Sequence, residues 1–409
     1  MRTANKPLKV SFFGHFGSPN AGNESTLLAI LAHLRSVSPD GEFRCICTLP
    51  EVVAARDGIE AVPITTRVAK LWDRGIPLTR RVPMAVVGVG AEARQYARAF
   101  RKLKGTDMLV VPGTGLVTDA YGLSYWGPYS LFKWSLMAKL RRCKVLIVSV
   151  GAGPIHRAPG RILAKAALSL ADYRSYRDDA SRDYLTGIGF RAGRDHVYPD
   201  LVFGLPEEML PRNGARPEGA RRVVGLGLME YCGRYSSSDP RPETYTAYLR
   251  SLAVFATWLL EHDYDIRLLL GDADTIVIKD FRSALDAHLG DYDDSRIIER
   301  PIASVHDVLA EIAAADVVVA TRFHNVLLSL LLNKPVIAIS HHHKCSSLMR
   351  WMKLPEYTHE IDGMDADRLI RQFRELEQNR EAVKRTIGEG VVGARAALDE
   401  QYDLLFAIS

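Results

Sequence analysis

The sequence predicts an α/β protein made of two Rossmann-like domains facing across a cleft. Three observations predict it. Short β-rich runs alternate with longer helical patterns along most of the chain. The short runs are continuously apolar rather than alternating, as parallel strands covered on both faces are. A stretch rich in Pro, Gly and charge, GLPEEMLPRNGARPEGARR, breaks the rhythm at mid-chain before it resumes. With 409 residues, the chain is long enough for two cores. The expected division is an N-terminal domain over 1–205, a linker over 206–221, a C-terminal domain over 222–380 and a helical tail over 381–409.

In the first domain, KVSFFG reads as a strand, and Leu27, Leu28, Ile30, Leu31 and Leu34 form the apolar stripe of the helix after it. FRCICTL, MLVVPG, KVLIVSVG, YRSYRD and HVYPD read as further strands. Cys45 and Cys47 share one strand face, where burial is a better reading than metal or redox chemistry. After the linker come RVVGLGL, a helix around YLRSLAVFATWLLEH, then IRLLLGD, RIIER, VVVAT and PVIAIS. In such sheets ligands lie beyond the carboxyl ends of the strands, so the strand-to-helix corners are where chemistry is expected.

At the first corner, FFGHFGSPNAGNESTLLAIL, glycines 14, 17 and 22 make a turn, Asn23 is an expected N-cap, and Glu24 suits the positive end of the helix dipole. The spacing matches neither a dinucleotide nor an NTP fingerprint. At the second, Gly113 and Gly115 expose backbone amides that can form an anion nest, with Asp119 just beyond. At the third, Gly151 and Gly153 end a strand before Pro154, and His156 is a weaker candidate. At the fourth, Arg177 can bind an anion and Asp178 can cap the next helix; a structural Arg–Asp pair is the alternative. At the fifth, VVVATRFHNVLLSLLL, Thr321 can cap the helix while Arg322 and His324 stand at its start. There free amides and the dipole already favour phosphate or carboxylate. The next strand ends in SHHHKCSSLMR, where His341 and His343 could share a face. No carboxylate or cysteine falls at a supporting zinc spacing, so no metal is expected, and Lys344 is a further anion ligand.

Taken in order, these corners resemble the polysaccharide pyruvyl transferase family over nearly the whole chain. NAGNE stands at the place of the family's Asn-x-Gly-Asp-Glu, with Asn23 for its Asp. PGTGLVTD is similar to its Gly-rich turn and aspartate, GAGP to its GIGP-like turn, and Arg177-Asp178 to its Arg-Asp pair. YPDLVF approximates its DPAF-like element, and Arg322-Phe323-His324 stands for Arg-Leu-His, followed by a strand and a lysine-bearing loop. The resemblance implies a GT-B-like pair of domains that needs no cofactor. It also implies transfer of pyruvate from phosphoenolpyruvate to two hydroxyls of a sugar, as a cyclic ketal. Arg177, Arg322, Lys344, Gly151 and Gly153 would then hold phosphoenolpyruvate, His324 and Arg322 would carry the chemistry, and Gly22, Asn23, Glu24, Gly113, Gly115 and Asp119 would face the acceptor. A nucleotide-sugar glycosyltransferase and a non-catalytic glycan- or anion-binding relative stay open as alternatives.

Composition is that of an ordinary globular protein, and a net charge of +5 is too weak to imply nucleic acid. The odd number of cysteines, five, argues for a reducing compartment. The N-terminus shows no signal-like apolar core, and no apolar run reaches the roughly 18 residues of a membrane span. A cytoplasmic protein is expected, in peripheral contact with the inner face of the cell membrane. Between residues 67 and 104, ten basic residues face only Asp73 and Glu92, which suits an anionic membrane and a lipid-linked oligosaccharide acceptor; a solvated basic helix face is the alternative.

Overall fold

The computed structural model describes residues 7–18, 20–65, 78–118, 127–211, 219–231, 242–270, 275–341 and 343–407. The first array runs β1 (Lys9–Phe13), α1 (Ala21–Val37), β2 (Glu42–Cys47), α2 (Pro50–Asp57), β3 (Glu60–Pro63), α3 (Leu78–Lys102), β4 (Met108–Pro112), α4 (Gly127–Leu140), β5 (Lys144–Val150), α5 (Ala158–Ser169), β6 (Tyr173–Tyr176), α6 (Asp179–Gly187) and β7 (His196–Val197). The second runs β8 (Arg222–Gly227), α7 (Pro242–Glu261), β9 (Tyr264–Leu269), α8 (Thr275–Leu289), β10 (Ile297–Ile298), α9 (Val305–Ala313), β11 (Val317–Ala320), α10 (Phe323–Leu331), β12 (Val336–Ser340), α11 (His343–Trp351), β13 (Thr358–Glu360), α12 (Ala366–Gln378) and α13 (Arg380–Ala407).

Both sheets are wholly parallel. The seven-stranded sheet has the order β3-β2-β1-β4-β5-β6-β7 and the six-stranded sheet β10-β9-β8-β11-β12-β13. Counted within each array, both follow the Rossmann order 3-2-1-4-5-6, which reverses direction between its first and fourth strands. The switch points are therefore β1/β4 and β8/β11, and the corners after β1, β4 and β11 are three of those singled out in the sequence.

The central strands are buried along their length, as the continuous apolar runs predict: β4 and β11 have no exposed residue. Leu27, Ile30, Leu31 and Leu34 bury the stripe of α1, and Cys45 and Cys47 are buried thiols. Two strands were not foreseen. β3 and β13 are short edge strands whose sequences, EAVP and THE, lack an apolar run.

The described residues divide into two compact units. The first takes the chain to Ser18, Thr26–Leu201 and the end from Leu398; the second takes the segment ending at Ser25 and Val202–Ala397. This corrects the expected ranges. The crossing falls at Leu201/Val202, so the described part of the expected linker 206–221 lies with the second unit. The expected tail is one helix, α13, whose beginning belongs to the second unit and whose end belongs to the first. The start of α1, with Gly22, Asn23 and Glu24, also belongs to the second unit.

Candidate functional site

In the second unit, the site is built at the carboxyl ends of β11 and β12. The two strands pair in parallel with Ala320 opposite Ala338, so the residues that follow each strand emerge side by side. Beyond β11, Thr321 is fully buried and its Oγ1 shares a hydrogen bond with Tyr248 Oη at 2.9 Å. That bond takes Thr321 away from the capping role expected of it. Arg322 is the N-cap residue of α10, in extended backbone and with no side-chain cap. His324 lies in the first turn, its ring edge-on to Phe323. Asn325 is buried and donates from Nδ2 to the Leu269 carbonyl at 3.3 Å, tying the start of α10 to the end of β9.

His324 meets the start of α1. A Cβ on residue 22 would lie inside the His324 imidazole, against Cε1, Nε2 and Cδ2, so only glycine lets the ring sit there. Asn20, not Asn23, caps α1: its Oδ1 accepts from the Asn23 amide at 3.0 Å. The expected cap was three residues late, because Gly22 and Asn23 already belong to the first turn. Glu24 is buried in the same turn.

Beyond β12 stand His341 and Lys344. Burial and then the Lys344 charge push the His341 imidazole down to about 4; the Thr321 carbonyl opposes this and Arg322 adds to it. Lys344 and Arg322 thus both act on the His341 ring. His343 is exposed. The sequence signal for His341 is the HHH run itself, which reads only as a metal site without supporting ligands at a zinc spacing.

In the first unit, Arg177 is held by carboxylates. Its Nη1 lies 3.4 Å from Asp200 Oδ2 and its Nε 3.6 Å from Asp178 Oδ2, with all three side chains nearly or wholly buried. Asp178 also caps α6, accepting from the Ser181 amide at 2.6 Å. The Arg–Asp pair weighed in the sequence is present, and Asp200 in YPDLVF is a second partner that sequence reading missed. A Cβ on Gly151 would come within 2.7 Å of Arg177 Nη2, so this glycine makes room for the guanidinium. Gly153 has a positive φ of 85° and packs on Tyr184. Gly113 and Gly115 flank buried Thr114 after β4, while Asp119 lies outside the described residues. After β1, a residue not singled out in the sequence, His15, is pushed down to about 4 by burial. His156 is exposed.

Among the described residues, no group of three His, Cys, Asp or Glu side chains could hold a metal ion, and no helix is long and apolar enough to cross a membrane.

The model of one family, polysaccharide pyruvyl transferase, matches residues 20–343. The amylovoran biosynthesis protein AmsJ of Erwinia amylovora is 20% identical over 420 residues, covering 94% of this chain and 95% of AmsJ. Among solved structures, Alr3699/HepE of Anabaena in complex with UDP superposes with a TM-score of 0.62 at 13% identity, covering 97% of this chain and 100% of that one. UDP-GlcNAc 2-epimerase of Neisseria meningitidis bound to UDP-GlcNAc does so with a TM-score of 0.59 at 11% identity, covering 98% and 100%. These structural likenesses carry the fold, a GT-B-like pair of Rossmann units.

Proposed function

The chain belongs to the polysaccharide pyruvyl transferase family, and from that premise we propose that it transfers pyruvate from phosphoenolpyruvate to two hydroxyls of a glycan sugar. The product is a cyclic ketal, and phosphate leaves. One observation carries the reading: Arg322 and His324 stand at the start of α10 directly after β11, and Lys344 stands in the first turn of α11 after β12, beside the switch point. Phosphoenolpyruvate brings a phosphate and a carboxylate, and a guanidinium beside an ammonium suits that pair of anions.

The chemistry needs a proton on the enol methylene, attack on the adjacent carbon by two sugar hydroxyls, and rupture of the bond to the phosphate oxygen. One hydroxyl proton ends on the methyl carbon and the other on phosphate, so the reaction balances without a redox partner. His324, whose residue type titrates near neutrality, is the general acid–base in this scheme. Arg322 and Lys344 stabilise the departing phosphate. Glu24, in the turn whose Gly22 packs against His324, orients the acceptor together with Asn23. Gly113, Gly115 and Asp119 belong to the acceptor side in the same reading, and Gly151 and Gly153 to the donor side. Arg177, already bound by two aspartates, supports the donor side as a positioning residue. No cofactor takes part. The acceptor is a glycan or lipid-linked oligosaccharide met at the cytoplasmic face of a membrane, where the basic segment 67–104 suits anionic lipid.

The test is phosphate release from phosphoenolpyruvate across a panel of glycan acceptors. Acceptor-dependent release should fall by about 10²–10⁴-fold in His324→Ala, and near wild-type turnover in that variant would remove His324 from the mechanism. Phosphoenolpyruvate, but not UDP- or GDP-sugars, should raise the thermal midpoint; the reverse would favour glycosyl transfer.

A further inference from the structure

At the opposite end of the first sheet from the corners, the amino ends of β1, β2 and β3 and the turn before β4 surround a cavity of about 630 Å³. All the described residues lining it belong to the first unit. The volume falls in the range of small-ligand sites, roughly 300–1,000 Å³, but the lining is charged where such sites are mostly apolar. Lys9, Arg35, Arg44 and Lys104 stand there with two carboxylates, Glu42 and Glu60. Both carboxylates are engaged: Glu42 pairs with Lys9 at 2.7 Å, and Glu60 pairs with Arg44 at 2.7 Å and with Lys102 at 3.3 Å. Arg35 meets no carboxylate. Its Nη2 donates to the Asp57 carbonyl at 2.6 Å, which fixes the guanidinium and leaves its other N–H groups, while the Asp57 carboxylate is held by Arg56 at 2.6 Å. Lys104 is exposed and has no ion-pair partner among the described residues. Four cations against two carboxylates leave an excess of two positive charges, on Arg35 and Lys104. Phe43 adds an aromatic ring. It lies against Gly41, where a Cβ would come within 2.7 Å of the ring, and it stacks on Phe12 with centroids 6.3 Å apart. Buried Ser11 and Thr106, whose hydroxyls share a hydrogen bond at 3.4 Å, form the inner wall.

We propose that this cavity binds an acidic saccharide, a uronate-bearing stretch of glycan, whose carboxylates are taken by Arg35 and Lys104. Fixed charges of both signs decide among anions. A phosphate packs its charge into one small group, so it meets the repulsion of Glu42 and Glu60 as well as the pull of the cations. A sugar acid spreads its chemistry over a ring. It brings a carboxylate that suits a guanidinium or an ammonium, hydroxyls that can donate to the glutamates, and a C–H face that can cover Phe43. A polysaccharide outruns any one sugar site, so a family that works on such chains has use for a second contact. The assignment does not depend on phosphoenolpyruvate or on the residues at the corners. It adds a holding site for an acidic polymer at the far end of the unit.

Trigalacturonate is the probe, and maltotriose is its neutral control. Calorimetric titration of the full chain, without phosphoenolpyruvate, should show binding of the first and much weaker binding of the second. Affinity for trigalacturonate should fall roughly tenfold in Lys104→Gln and again in Arg35→Gln, as each removes one charge-assisted hydrogen bond. It should also weaken as sodium chloride rises from about 50 to about 500 mM. Lys104 is exposed, so Lys104→Gln keeps the test valid even if Arg35→Gln, which releases the Asp57 carbonyl, fails to fold. Lys104→Arg should restore most of the affinity. An affinity unchanged in Lys104→Gln, equal affinity for maltotriose, or no heat with trigalacturonate would each overturn the site. Inorganic phosphate that competes as well as trigalacturonate, mole for mole, would overturn the saccharide assignment. The thermal shift given by phosphoenolpyruvate should be the same in Lys104→Gln as in the wild type. Trigalacturonate binding that depends on Lys104, in a chain that phosphoenolpyruvate does not stabilise, would support this site while refuting the reading of the corners.

Discussion

At the scale of single residues, the contact between Gly22 and His324 makes the sharpest demand. Residue 22 lies in the first turn of α1, where alanine would ordinarily favour the helix by up to about 1 kcal/mol. Here its Cβ would occupy the imidazole. Gly22→Ala should therefore lower acceptor-dependent phosphate release at least tenfold, through displacement of His324, against the direction helix propensity alone would give. Wild-type kcat with a raised thermal midpoint would refute the contact. Arg177 poses the complementary case. Removing one carboxylate from a buried ion pair costs about 3–5 kcal/mol, so Asp200→Asn, which keeps an acceptor, should lose roughly 2–3 kcal/mol in urea unfolding. A raised KM for phosphoenolpyruvate without loss of stability would instead give Arg177 a direct role in binding the donor. Much of this was legible in the sequence: Arg322 and Lys344 announce themselves as cations at strand ends, with His324 a titratable group beside them. Asp200 and His341 did not, because what matters about each is a neighbour from a distant part of the chain. In His341 the run of identical neighbours also hid which ring turns inward.

At the scale of elements, periodicity works where an element is buried and fails where it lies at an edge. β11 and β12 were plain as apolar runs, whereas β3 and β13 have only a few residues each and a polar composition that reads as loop. Caps were less legible still. Asn20 and Asn23 are both good N-cap residues, and only the backbone decides which of them stands outside the helix. α3 combines both situations. Its later turns bury Gln95 and Ala99, and Leu103, one residue past its end, continues the four-residue repeat and fixes this end to its unit. Glu92 binds Lys133 and Tyr129, so one of the two acids in the segment 67–104 is neutralised within the protein. Lys102 in turn pairs with Glu60, so the local basic excess stays that of the sequence count, ten against two. The chain should co-sediment with vesicles containing phosphatidylserine or phosphatidylglycerol, more weakly as salt rises. At about 1 kcal/mol per basic residue, Arg80→Gln with Arg81→Gln should weaken binding by roughly thirtyfold. Sedimentation indifferent to anionic lipid content would leave α3 as a solvated basic face.

At the scale of the whole molecule, the two units repeat one strand order, and each also buries neutral histidines. In the first unit, burial pushes His15 down to about 4 and lowers His33 as well, although Asp399 and Asp403 pull His33 the other way. In the second unit, burial and then Lys344 bring His341 to about 4, and burial lowers His359, whose Nδ1 is paired with Gln372 Oε1 at 3.0 Å. An unfolded histidine binds its proton near pH 6.5, whereas all four folded rings bind it less readily, His15 and His341 only near pH 4. As pH falls below about 6.5, the unfolded chain takes up protons that the folded chain does not, so stability decreases with falling pH. Their contribution is fully present above pH 6.5 and is lost progressively toward pH 4, each of His15 and His341 costing about 1.4 kcal/mol per unit through that window. Urea unfolding at half-unit steps from pH 7.5 to 4.5 should show this decline, and His15→Gln and His341→Gln should each flatten it. A stability that stays level to pH 5 would mean that these rings are accessible to protons in the folded chain.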